Sequence, residues 1–200
     1  VHTDVVVAHP PAPIERAELA LCEKIAAGAV KPVAAGTRTD LSRAFAEGGG
    51  FFQSEFSVEY LERAIAEGGV LLTHRRRRDG REDLVGFALF YPPGKVPEKF
   101  QHLIPPLQQS DQAYYEVVCG HPTAGPVSSL ILGRGAMALL QYSNAHMMQA
   151  LINPYNEASM RSALRDRYRL IASNRVVSRD PQGRELAFAQ WEVPVKAALR

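Results

Sequence analysis

Between Val70 and Pro92 the chain reads VLLTHRRRR, DGRED and LVGFALFYP, two apolar runs separated by an Asp-Gly pair. Asp and Gly tolerate the left-handed backbone that a tight reversal needs, so this stretch predicts an antiparallel hairpin. Just before it, Tyr60, Leu61, Ala64 and Ile65 recur at helical spacing between an N-cap at Ser57 and a stop at Gly68-Gly69. The change from helical to extended period requires a sheet with helices packed on it.

The rest of the chain extends that frame. Thr3 to Val7 is rich in β-branched residues and predicts a strand, and HPPAP breaks it. Ile14, Ala17, Leu21 and Ile25 then mark the apolar face of a first helix. The region from Ala27 to Gly50 is rich in glycine and small residues, with a short helix expected over residues 41–46 and no function assigned. Prolines in the connection from Pro92 to Gln112 oppose regular structure, and a loop of this length is more often a lid or binding loop than padding. AYYEVVCG predicts a third sheet member, GRGAMALLQYSNAHMM a helix, MQALI a strand and NEASMRSALRDRY another helix. RLIASNRVVSR and RELAFAQWEVPV around DPQG predict a closing hairpin. This order predicts a mixed α/β (α+β) layer structure with a largely antiparallel sheet of about seven strands and about four helices.

Composition excludes several classes. The 200 residues, 46% hydrophobic and 22% charged, suit one globular domain over residues 1–200. No apolar run approaches membrane-spanning length and no basic-then-apolar leader is present, so a soluble, cytoplasmic protein is expected. Cys22 and Cys119 form no CxxC pair and predict buried, reduced thiols. His102 and His146 lack partners at ligand spacing, so no metal is expected. Arg75 to Arg78 are the one local concentration of charge. They suit phosphate binding or a solvated hairpin tip that discourages edge pairing; without RNP-like aromatics or zinc-finger spacing the second reading is favoured.

Four motifs carry a resemblance. LVGFALFYP, EVVCGHP from Glu116 to Pro122, GRGAMALL from Gly133 to Leu140, and INPYNEASM from Ile152 follow one another in this order. Together they resemble the GCN5-related N-acetyltransferase (GNAT) superfamily over most of the chain. The resemblance implies a GNAT-like sheet and an acetyl-CoA-dependent N-acetyltransferase acting by direct transfer to a primary amine. It places the pantetheine arm of acetyl-CoA along Val118, Cys119 and Gly120. It gives the pyrophosphate to Gly133, Arg134, Gly135 and Ala136 as the turn that opens a helix, where free N–H groups and the helix dipole favour an anion. Asn156 would position the cofactor arm. Two departures stand out: Leu130 occupies a position usually held by Arg or Gln, and the stretch from Pro122 to Gly133 is several residues longer than usual.

Acyl transfer to an amine needs a base, because an alkylamine of pKa about 10.4 is mostly protonated near neutrality. By the resemblance Glu116 is the candidate; read alone, it is equally a charged residue on a half-exposed strand. Many family members protonate the leaving thiolate with a tyrosine four residues into the last helix, and here that residue is Ala163. Tyr142 and Tyr114 are the candidate substitutes, and unaided departure of the thiolate is the other solution. Cys119 is read as packing and His121 as a surface residue. The acceptor is a small-molecule or peptide amine, and a homodimer is allowed. Two other functions remain open: an acyl-CoA-binding protein without rapid turnover, favoured by Ala163, and a nucleic-acid-binding module built on Arg75 to Arg78.

Overall fold

The computed structural model describes residues 2–9, 14–29, 31–32, 51–52, 56–121, 124–154, 156–179 and 185–195. Strand β1 (His2–His9) leads to helix α1 (Arg16–Ala29), and β2 (Lys31–Pro32) and β3 (Phe51–Phe52) form a separate two-residue parallel pair. Helix α2 (Val58–Ala66) precedes the hairpin of β4 (Val70–Arg78) and β5 (Arg81–Tyr91). Next come helix α3 (Glu98–Leu103), a 3-10 helix (Pro105–Gln108), β6 (Gln112–Gly120), helix α4 (Gly125–Leu140) and β7 (Met147–Ile152). Helix α5 (Glu157–Arg165), β8 (Arg169–Arg179) and β9 (Glu185–Pro194) complete the described chain. The short helix expected over residues 41–46 lies outside the described residues.

Seven strands form one sheet in the order β1-β4-β5-β6-β7-β9-β8, antiparallel throughout except between β6 and β7. The hairpin reverses at Asp79 and Gly80, both with positive φ, as its Asp-Gly pair predicts. Alternation along the strands divides the core. Leu71, Phe87, Leu89 and Tyr91 face Leu19, Cys22, Ile25 and Leu61 of α1 and α2. Leu72, Ala88 and Phe90 face Leu132, Ala136, Met137 and Leu140 of α4. Burial of each large apolar side chain contributes about 1.5–3 kcal/mol, so the two layers are the main source of stability.

Two local expectations are corrected. The buried face of α1 is Leu19, Cys22, Ile25 and Ala26, while Ala17 and Leu21 point outward. The spacing fits both stripes; the richer one, with Cys22, wins. The Pro92–Gln112 connection is structured, because its prolines fall where no backbone donor is needed, at the N-cap of α3 (Pro97) and at the start of the 3-10 helix. Phe100 of α3 stacks on Tyr114 with ring centroids 4.3 Å apart, fastening the connection to the sheet.

Candidate active site

Strand β6 is where the sheet opens. It pairs with β7 only from Gln112↔Met147 to Tyr115↔Ala150. Beyond that, β6 continues to Gly120 paired with β5, and β7 continues to Ile152 paired with β9. The facing edges of two parallel strands are thus left without strand partners among the described residues, and their polar groups can be satisfied by an extended ligand. At the fork the β5–β6 register steps between Leu89 and Phe90, opposite Val117 and Tyr115, so Glu116 is the extra residue of a bulge. Bulges re-aim a side chain, and this one turns Glu116 toward α2.

The Tyr60 hydroxyl, on α2, donates to Glu116 Oε1. Oε2 is buried and accepts no well-formed hydrogen bond. Burial raises the Glu116 pKa, opposed by the Tyr60 hydrogen bond and by Lys99 and Tyr91 nearby. Burial and the adjacent Glu116 charge hold the Tyr60 hydroxyl firmly protonated, so it serves as a donor. Tyr60 and Tyr91 form the inner wall of a cleft of about 730 Å³ between α2 and residues 94–99 of the long connection. Residues 94–99 of that connection thus form one wall of the cleft.

Helix α4 begins at Gly125, four residues after His121, directly beyond the open end of β6. Its cap residue Ala124 makes no side-chain hydrogen bond, so the first-turn amides, apart from that of Pro126, have no side-chain partner there. The expected opening turn at Gly133 to Ala136 is corrected: these residues lie in the helix interior, where their amides bond the preceding turn and cannot cradle an anion. Gly135 has a packing role instead, since a Cβ there would stand 3.2 Å from Val6 Cγ1. Arg134 is exposed and Ala136 is buried in the α4 core. The apparent long loop before Gly133 is the first two turns of this helix, which also accounts for Leu130. Of the three strand-end residues, Val118 packs toward α4, Cys119 packs among the residues under α1, and Gly120 pairs with Gly86. Burial pushes the Cys119 thiol up to about 12, so it is no thiolate nucleophile.

Asn156 caps α5, its side-chain oxygen accepting from the Ser159 amide at 3.1 Å. Ala163, at 6% exposure, packs on Ala189 and Trp191 of β9. Tyr142 is 93% exposed and Tyr114 is buried on the α1 side of the sheet, so neither stands beside Ala163. The α4 side carries two donors that the sequence did not single out. Tyr115 and Trp191 both stand opposite Ala150, where β6 and β7 part. The Tyr115 hydroxyl and the Trp191 indole N–H are buried without hydrogen-bond partners. Burial, with Tyr168 and Asp166 close by, raises the Tyr115 pKa far above that of free tyrosine.

Two further polar groups lie outside the fork and the cleft. His74 Nε2 lies 3.0 Å from Asp4 Oδ1, and His74 Nδ1 lies 2.8 Å from Ser128 Oγ. This orders Asp, His and Ser as in a hydrolytic triad, but His74 and Ser128 are both 0% exposed, so the trio ties β1 and β4 to α4 rather than meeting a substrate. Arg75 pairs with Glu18 at 2.6 Å and with Glu82, Arg76 with Asp4, Arg77 with Glu82 and Arg78 with Asp79. That pairing suits a hairpin tip. Among the described residues no helix is long and apolar enough to cross a membrane, and no group of three His, Cys, Asp or Glu could hold a metal ion.

No protein-family model and no curated protein match the chain. Solved structures do. The ribosomal-protein-alanine N-acetyltransferase of Brucella melitensis is 16% identical, covering 94% of this chain and 99% of its own, with a TM-score of 0.56. The yncA protein of Salmonella typhimurium, solved with its cofactor acetyl-CoA, is 15% identical over 95% and 94% at a TM-score of 0.56. A GNAT-family protein from Desulfovibrio desulfuricans is 13% identical over 96% and 99% at 0.58. At this identity the likeness speaks for architecture, and the chain has the GNAT fold.

Proposed function

We propose that the chain is an acetyl-CoA-dependent N-acetyltransferase that acetylates a primary amine by direct transfer in a ternary complex. The observation that carries this reading is the placement of Glu116: a half-buried carboxylate of raised pKa, on a bulge, at the point where two parallel strands part, held by the hydroxyl of a tyrosine that lines a cleft on the α2 side. The solved structures of the same fold support it, one of them holding acetyl-CoA. In this reading the open edge of Val118 to Gly120 lies along the pantetheine arm. The first turn of α4, from Ala124 to Ser128, takes the pyrophosphate in place of Gly133 to Ala136.

The amine enters from the cleft and acetyl-CoA from the fork. Glu116 accepts a proton from the ammonium, and a raised pKa brings a carboxylate closer to that task. The neutral nitrogen then bonds the acyl carbon, the carbon–sulfur bond breaks with its electron pair leaving on sulfur, and the acylated nitrogen gives up its second proton to solvent. Ala163 offers the sulfur no proton. The Tyr115 hydroxyl and the Trp191 N–H are unpartnered donors at the same fork, and Tyr115 is assigned the acid's part.

Thermal unfolding with acetyl-CoA, CoA and ATP in parallel tests the site. A ligand at one hundred times its dissociation constant stabilises the native state by about 2.7 kcal/mol. Stabilisation by both CoA species and not by ATP is expected; no shift with either CoA species refutes the reading. The alternative, an acyl-CoA binder without turnover, rests on Ala163, and it predicts the same shifts with no amine acetylated.

A further inference from the structure

We infer that the acceptor cleft selects a small zwitterionic amine, one whose attacking nitrogen and acidic group are separated by only a few bonds. The inference rests on the acyltransferase reading of the cleft and adds the acceptor's chemical class. Two cations stand at one ring, that of Tyr60, and a third lines the same cleft. The Arg63 guanidinium carbon lies 5.9 Å and Lys99 Nζ 5.2 Å from its centroid. Lys99 Nζ also lies 4.7 Å from the Phe100 ring centroid and donates to the Tyr60 hydroxyl at 3.4 Å. Lys95 enters from the facing connection, its stem over Gly68: a Cβ there would stand 2.9 Å from Lys95 Cδ. All three line the cleft, and among the described residues none has a carboxylate within ion-pair distance.

Unpaired cations steadied by rings and packing are ready for a ligand anion at little cost in side-chain entropy. The cleft also holds Glu67 and Glu98, of which Glu98 is engaged by His102 at 3.0 Å. The balance at the rim therefore favours an anion, while the ammonium is assigned to Glu116, which accepts from the hydroxyl of the lining Tyr60. Lys99 reaches the same hydroxyl that Glu116 accepts from, so anion and amine subsites are only a few ångströms apart. That spacing suits an amino carboxylate or an amino phosphate and leaves a polyamine facing three positive charges.

The test compares glycine and phosphoethanolamine with glycinamide and ethanolamine, their counterparts without the acidic group, and with spermidine, as acceptors for the parent chain and for Lys95→Gln and Lys99→Gln. The acidic amines are expected to lead their counterparts in kcat/KM by at least about tenfold, the scale of one charge-assisted hydrogen bond. Each substitution is expected to raise KM for the acidic member of a pair only. The glycine and phosphoethanolamine arms separate a carboxylate from a phosphate. Preference for spermidine or for the amines without an acidic group, or substitutions that weaken both members of a pair equally, overturns the inference. If no amine is acetylated although acetyl-CoA binds, the acyltransferase reading has failed, and calorimetric binding of the same amines decides the cleft separately. Binding of an acidic amine lost in Lys99→Gln upholds the anion site, and no binding refutes it.

Discussion

The Tyr60 hydroxyl donates to Oε1 of Glu116, joining helix α2 to the bulge of the central strand across 56 positions of sequence. It orients the carboxylate and leaves Oε2 for the amine. Glu116→Gln keeps the shape and removes the base, so kcat is expected to fall by about 10²-fold or more, with little change in acetyl-CoA binding. Tyr60→Phe loses orientation only and is expected to cost about tenfold, the worth of one hydrogen bond to a charged group. Steady-state kinetics on a responsive amine check both, and equal activity of Glu116→Gln and the parent rules out the assigned role.

The same carboxylate sets a pH dependence. Its pKa is raised from an ordinary value of 4.5 because burial disfavours the charged form. Between that value and the raised one, the folded state holds a proton that the unfolded state has lost, so stability falls as pH climbs through the window. Glu116→Gln removes the effect. The variant's melting temperature is expected to gain on the parent between pH 4 and pH 8. Parallel melting curves across that range contradict the burial argument.

Much of the fold could be read from particular residues. Asp79-Gly80 named the hairpin turn, Asn156 named the start of α5, and the apolar run LVGFALFYP named the second hairpin strand, which the structure buries on both faces. The start of α4 was misread because Gly133 and Gly135 mimic a turn, whereas Gly135 is small so that the helix can rest on Val6. Glu116 was put forward by the family resemblance, but the bulge that aims it was not visible, since a bulge is a relation between two strands. The cleft was the least legible part. Tyr60 read as one more apolar helix position, and Arg63, Lys95 and Lys99 come together only when α2 meets the long connection.

The buried Asp4–His74–Ser128 trio should be visible in stability. A carboxylate can only accept, so His74 Nε2 donates to Asp4 and Nδ1 takes the Ser128 hydroxyl's proton as acceptor, an assignment made from the network. His74→Phe fills the space but removes two hydrogen bonds, leaving Asp4 to Arg76 and Ser128 to the Val85 carbonyl, and is expected to cost about 1–3 kcal/mol. Denaturant midpoints check this. Gly86→Ala disturbs the same junction, because its Cβ would stand 2.1 Å from Ser128 Oγ and 2.9 Å from the Cys119 carbonyl oxygen. Its cost of about 1–3 kcal/mol should persist in part in a Gly86→Ala, Ser128→Ala double variant, since the carbonyl remains.

Restoring a tyrosine at position 163 would seem the direct way to ask what protonates the leaving sulfur, but the site has no room for it. Ala163 is buried on Ala189 and Trp191, and Ala163→Tyr is expected to destabilise by about 1–3 kcal/mol through overpacking. Tyr115→Phe is the cleaner probe. It deletes one oxygen that has no hydrogen-bond partner to strand, so the fold and the acetyl-CoA-induced melting shift should survive. If Tyr115 donates to the departing sulfur, kcat falls by about 10²-fold or more while acetyl-CoA affinity holds. Trp191→Phe, which removes only the indole N–H and some ring area, serves as the comparison and should cost less, because an indole cannot give up its proton. An unchanged kcat in Tyr115→Phe would mean that the thiolate leaves unaided, which a thiol of pKa about 8.5 can do.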